Sequence, residues 1–294
     1  PSVRLEGNTG IVDLPKENDV VAKLKASLAG LEKEVALNIM VKIQGTGMTD
    51  DPWLIESPEL LRYLSNKVNA GEQYIDRFFK QTADIDLGGE ANPFIPIGGN
   101  AYSAYKFRGN YDGAHRLISN MVIDQPENNY VGLFGYVGEN GVVKNLSLAD
   151  NCKVTGAGYV GGLVGECNGE VVDCSSAATV SGSTSVGGIV GWSNTTAHIH
   201  RCYNSGPVSS TRTNTAGGIV GGHTSFMLSE CFNIGTVTAR TGQAGGICGY
   251  NSGVIENCFN AGTVTAPSAV GGIAGRITNA GSTDYTSRLS NCYS

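Results

Sequence analysis

The chain has 294 residues, enough for one extended domain or two ordinary ones with a proper core. Charged residues make up only 16%, while glycine reaches 42 and proline only 9, a balance that points to many tight turns between short strands. The net charge of −6, without a Lys/Arg cluster, argues against nucleic acid or anionic lipid as the main partner. No apolar run approaches the roughly 18 residues of a membrane helix, so no membrane insertion is expected.

Residues 1–44 carry much of the lysine. Ala22, Leu24, Ala26 and Leu28 alternate with Lys23, Lys25 and Ser27, and Val35, Leu37, Ile39, Val41 and Ile43 alternate again. Period-two alternation predicts half-buried strands, joined as a hairpin near Ala29-Gly30-Leu31-Glu32. A helix over 18–30 is the competing reading, because Lys, Leu and Ala all favour one. The Gly10-Ile11-Val12-Asp13-Leu14-Pro15 stretch ahead of these strands resembles part of a bacterial immunoglobulin-like repeat, which implies a partial domain.

Residues 45–129 read as the cap and first coils of a solenoid. Asp50-Asp51-Pro52 turns into a strand at Trp53-Leu54-Ile55. A helix is predicted over 57–70, with Ser57 as N-cap, Pro58 at its first position, and Leu60, Leu61, Leu64 and Val68 on one face. Phe78 to Leu87, Lys106 to Gly113 and Leu117 to Ile123 read as strands. Asp84, Asp86 and Asp112 are the best acids for chemistry in the chain, and turn-making explains them equally well.

From 130 to 294 the sequence repeats. The segments Val-Gly-Leu-Phe-Gly (131–135), Gly-Gly-Leu-Val-Gly (161–165) and Gly-Gly-Ile-Val-Gly (187–191 and 217–221) recur as Gly-Gly-Ile-Cys-Gly (245–249) and Gly-Gly-Ile-Ala-Gly (271–275). Leu146, Cys174, Cys202, Cys231, Cys258 and Cys292 keep the same beat. Three residues before each stands Val143, Val171, Ile199, Leu228, Ile255 or Leu289, and six after four of them stands Val180, Val208, Val237 or Val264. Paired glycines inside each unit exclude a helix. Each unit of about 28 residues offers three apolar segments, hence three strands per coil of a triangular parallel β-helix. The expected fold is therefore all-β, a right-handed parallel β-solenoid with an N-terminal capping helix and a short N-terminal β segment.

The pieces Arg-Cys-Tyr-Asn-Ser-Gly-Pro-Val (201–208), Ser-Glu-Cys-Phe-Asn-Ile-Gly-Thr-Val (229–237) and Glu-Asn-Cys-Phe-Asn-Ala-Gly-Thr-Val (256–264) resemble the GLUG repeat of bacterial surface proteins. The pieces 82–87, 94–98 and 111–115 resemble the lead-in that precedes such repeats. This resemblance implies an exported protein, extracellular or at the cell surface, with no single activity. Both ends, Pro1 and the mid-repeat Cys292-Tyr293-Ser294, are expected to be cuts in a longer protein, with any signal or anchor outside them.

Each candidate chemistry has a plainer rival. GLUG-like repeats occur in some IgA-cleaving metallopeptidases, whose zinc chemistry needs His-Glu-x-x-His. His115, His198, His200 and His223 do not form that pattern, and no metal or cofactor is expected, although His198 and His200 would share a strand face. A glycan-processing β-helix enzyme is the alternative function, and it needs acids converging on one face. The outward row Lys144, Val172, His200, Ser229, Glu256 and Ser290 offers no such set. Equivalent Cβ atoms in stacked strands stand near 4.8 Å, beyond the roughly 3.8 Å a disulfide prefers, so the cysteine column is expected to be reduced packing. Asn204, Asn233 and Asn260 suit a buried amide ladder. Thr179/Ser181, Ser209, Thr236/Thr238 and Thr263/Thr265 make rows of hydroxyls like those of ice-binding solenoids, or plain exposed strand. Tyr203, Phe232, Phe259 and Tyr293 are expected to point outward as one apolar strip, a candidate contact for a host or bacterial surface glycan or protein. The expected function is a non-catalytic structural or adhesion module that presents turn loops on a rigid solenoid.

Overall fold

The computed structural model describes residues 43–99, 105–212, 215–224, 227–278 and 287–294, together with four strands nearer the N-terminus. Those four form two antiparallel hairpins. Val3–Glu6 pairs with Thr9–Val12, and Leu24–Leu28 pairs with Leu31–Val35 across Ala29-Gly30. Alternation therefore prevails over helix preference at 24–28. The second strand starts at Leu31 rather than Val35, with Leu31 directly opposite Leu28. Residues 36–42 of the expected strand lie outside the described residues.

From Trp53 onward the chain is a parallel β-solenoid, each strand pairing with its copy one coil away. The apolar column runs Trp53, Phe79, Tyr111, Val143, Val171, Ile199, Leu228, Ile255 and Leu289 in unbroken register. From Val143 to Ile255 all its members are fully buried. A second column, Ile123, Val154, Val180, Val208, Val237 and Val264, lines another wall.

The coil cross-section differs from the expected triangle. A repeat coil carries five short strands in four sheets, as in Val160–Gly161, Val164–Cys167, Glu170–Val172, Ser175–Ser176 and Thr179–Gly182. Two expected strands are each broken by a corner. One corner is the paired glycine: a Cβ on Gly187 would meet the Val190 carbonyl oxygen at 2.0 Å, so only glycine allows the chain to fold back there. The other lies just before the cysteine column, where Asn145, Asp173, Arg201, Glu230, Asn257 and Asn291 all adopt φ between 51° and 54° or close to it. Such left-handed corners tilt the strand without hairpin reversal.

The helix spans Pro58–Asn69, with the Ser57 hydroxyl accepting from the Leu60 amide. Trp53–Ile55 pairs with Phe78–Gln81, so the helix takes the return path that strands occupy in later coils. It buries Leu60, Leu61, Leu64 and Val68 over the first coil. Arg62 and Ser65 tie it to carbonyls of 87–96: Arg62 Nη2 donates to Leu87 O at 3.0 Å, and Ser65 Oγ to Ile95 O at 2.7 Å. The wide first coils are filled by Phe79, Phe94, Phe107, Tyr111 and Phe134, all buried.

Two lead-in strands differ from expectation. Phe78–Gln81 and Ile85–Asp86 are separate. Asn110–Ser119 is one strand with a left-handed bulge at Ala114 and His115, followed by Val122–Gln125. Asp112 makes that bulge, its Oδ1 accepting from the Ala114 amide at 2.9 Å. Asp86 likewise accepts from the Gly88 amide in a local turn, whereas Asp84 accepts from the Leu117 amide one coil away, so the three acids hold backbone amides.

Candidate binding faces

After the left-handed corner the coils that carry Cys202, Cys231 and Cys258 alternate strictly along the longest wall: cysteine in, aromatic out, asparagine in. Each column thiol donates to the carbonyl two residues earlier, from Cys174 to Val172 at 3.2 Å through Cys292 to Ser290 at 3.2 Å. All eight cysteines are free thiols, and seven are buried. Burial pushes the Cys174 and Cys231 thiols up, and that of Cys167 to about 12, so they stay protonated and unreactive. Titration without reductant should find most of the eight sulfhydryls after denaturation and few before. Their absence after denaturation would show that the column is bridged.

Asn204, Asn233 and Asn260 form the expected amide ladder. Asn204 Nδ2 donates to Asn233 Oδ1 at 2.9 Å, and Asn233 Nδ2 donates to Asn260 Oδ1 at 2.8 Å. Each amide also donates to the carbonyl of the glycine two residues on. The ladder starts where Ser176 replaces asparagine, and Asn204 Oδ1 there is buried without a partner.

The four candidate contact residues fall on one outward strip. Tyr203, Phe232 and Phe259 pair in register, and Tyr293 bridges to Phe259. The rings of Tyr203 and Phe232 are 5.4 Å apart and those of Phe232 and Phe259 5.1 Å, with planes within 17°. Stacked this way, each ring largely covers the face of the next and turns an edge to solvent. Exposure grows along the row, from half-buried Tyr203 and Phe232 to 42% for Phe259 and 68% for Tyr293.

A second aromatic row on another wall escaped the sequence reading. The residue directly after each Gly-Gly landmark gives the register Tyr136, Glu166, Trp192, Gly222, Tyr250, Arg276. Trp192 leans over Gly222, where a Cβ would meet its Cζ3 at 2.2 Å, and comes within 6.2 Å of Tyr250 with planes 14° apart. Tyr159 lies 5.3 Å from Trp192 and Tyr130 lies 5.5 Å from Tyr159. Arg276 lies over the Tyr250 ring at 5.9 Å. Reading one column past each landmark is the signal that finds this row. Glu166, buried beneath it, accepts from Asn194 Nδ2, and burial holds its carboxyl above the ordinary range.

The histidines have other work. His200 Nε2 is 2.8 Å from Glu170 Oε1, and His223 is buried. Among the described residues no three His, Cys, Asp or Glu side chains are grouped to hold a metal. The row expected to be wholly outward is mixed, since Val172 and Ser229 are buried. Among the described residues no helix is long and apolar enough to cross a membrane.

Residues 241–265 match the GLUG motif, and the chain is a GLUG-bearing parallel β-solenoid. The chain is 34% identical over 167 residues to halomucin of Haloquadratum walsbyi, covering 56% of this chain and 2% of that protein. It is 38% identical over 133 residues to a protein of Evansella cellulosilytica provisionally named a Gly-rich membrane protein, covering 43% of this chain and 14% of that one. The chain thus spans only a small part of these relatives. A solved structure from Bacteroides ovatus, provisionally named an immunoglobulin A1 protease, superposes with a TM-score of 0.66 at 22% identity. That match covers 85% of this chain and 76% of the other, a likeness of fold.

Proposed function

We propose that the chain is a non-catalytic surface module, a rigid spacer that makes adhesive contacts through the Tyr203–Phe232–Phe259–Tyr293 strip. The partner is a glycan or protein on a host or bacterial surface, and an immunoglobulin-like segment at 1–44 precedes the solenoid. Likeness to halomucin and to a Gly-rich membrane protein supports the surface role. The observation that carries the reading is the strip itself: apolar rings left facing water in register on one wall, while the inward columns beside them are buried.

The test is adhesion of protein-coated beads to bacterial and animal cells. Phe232→Ser with Phe259→Ser should cut attachment several-fold. The folded state should persist, because losing each half-covered stack costs on the order of 1 kcal/mol. Attachment equal to that of the parent protein would end the adhesive reading.

One observation favours the enzymatic alternative, the buried carboxyl of Glu166 under an aromatic row. Hydrolysis by paired acids needs a second carboxylate, and Glu166 is the only acid in its register. Release of reducing ends from a polysaccharide panel, lost in Glu166→Gln, would replace the non-catalytic reading.

A further inference from the structure

The wall opposite in character to the strip holds an open groove of about 390 Å³ over the second aromatic row. Its floor is Trp192 and Tyr250, its sides include Thr215, Gln243 and Thr224, and Arg276 closes one end. The sequence builds this floor by omission. Gly222 interrupts the row, and Trp192 folds into the gap until its ring reaches Tyr250. A tryptophan or tyrosine at position 222 would stack upright between its neighbours, as Phe232 does in the first strip, and fill the notch.

From this geometry we infer that the Trp192–Tyr250–Arg276 groove binds an acidic oligosaccharide, a chain of pyranose uronates lying along the solenoid axis. Three features fix that chemistry. The half-exposed edges of the stacked indole and phenol rings give an apolar floor for the C–H faces of sugar rings, which a charged peptide or a nucleotide phosphate would not use. The Gln243 amide offers a donor and an acceptor to sugar hydroxyls, and Thr224, whose hydroxyl already donates to Ser193 O, adds an acceptor oxygen. Among the described residues Arg276 is the only charged one lining the groove, in a chain whose net charge is −6. Its guanidinium is pre-placed over Tyr250 and offers the planar fork that a carboxylate accepts in two parallel hydrogen bonds. The rung spacing of about 4.8 Å is close to the advance of a 1,4-linked pyranoside per sugar, so successive sugars meet successive coils. The surrounding negative charge repels a polyanion elsewhere and confines it to this end.

The chain has two tryptophans, and Trp53 lies in the first coil, so emission in a Trp53→Phe background reports Trp192 alone. Titration with a short oligogalacturonate should give a saturable change in that emission. Arg276→Gln, an exposed substitution, should weaken the affinity at least about tenfold, the loss of one charge-assisted pair. A neutral cello-oligosaccharide should bind the parent at least about tenfold more weakly, by the same arithmetic. Gly222→Ala should displace the indole and remove the response. No saturable change at millimolar sugar overturns the site, as does an affinity untouched by Arg276→Gln. Equal binding of the neutral sugar overturns the uronate assignment.

Discussion

Replacing Asn233 by leucine should destabilise the solenoid by about 3–5 kcal/mol, since it strands two buried backbone groups at about 1–3 kcal/mol each. Asn233 is fully buried, and its amide makes four hydrogen bonds. Oδ1 accepts from Asn204 and from the Gly235 amide; Nδ2 donates to the Gly235 carbonyl and to Asn260. Leucine would strand both backbone groups of Gly235 away from water. Its branched tip would also be pressed against Gly218, which already lies so close that a Cβ there would meet Asn233 Cγ at 2.3 Å. Asn260→Leu removes the same turn bonds but is followed by no further asparagine, so it should cost less. Denaturant midpoints of the two variants check the order, and a mild effect at Asn233 would mean that the ladder contributes little.

The legible parts of the fold share one property: their residues repeat in kind. Cysteine, asparagine, the paired glycines and the apolar columns recur with few substitutions, so their register could be read and the pairings follow it. The corners before the cysteines were hidden for the opposite reason. Asn145 and Asn257 are ordinary left-handed residues, but Arg201 and Glu230 are not, and nothing in their chemistry announces φ of 52° or 54°. Their conformation is imposed by the coils above and below. Arg201 is further held by the paired hydrogen bonds its guanidinium donates to Asp173, at 2.7 and 2.9 Å, one coil away.

The same contrast applies to the two aromatic rows. The Tyr203 row is uniform and was visible as a column. The Trp192 row mixes phenol, carboxylate, indole, glycine and guanidinium, and a search for repetition passes over it. Its coherence comes from side chains reaching across a coil, as Trp192 does over Gly222, and reach is a property of the folded packing. Nor could pattern alone show that the uniform row turns ring edges outward while the mixed row forms a groove.

Stability should also fall as pH drops from about 6.5 toward 4, through a single buried residue. His223 occupies a polar rung between Ser193 and Asn251 inside the coil. Its Nδ1 is 2.8 Å from Ser193 Oγ and accepts that hydroxyl's proton, while Nε2–H donates to Val254 O at 3.2 Å. This pairing suits the neutral ring, and burial pulls its pKa down from 6.5 to about 4. The unfolded chain therefore takes up the proton first. Stability is complete above about 6.5, is lost at about 1.4 kcal/mol per pH unit below it, and levels off near 4, roughly 3 kcal/mol in all. Glu166 works against this, because a carboxyl held above its ordinary range gains stability as pH falls. Asp173, held low by the hydrogen bonds from Arg201, loses its contribution only below the ordinary carboxylate range. His223→Asn, the residue found one coil on, isolates the histidine. Its denaturant midpoint should be lower than the parent's at pH 8 and nearly flat from 6.5 to 4, where the parent's declines. Parallel profiles for the two proteins would show that His223 is not the group that titrates.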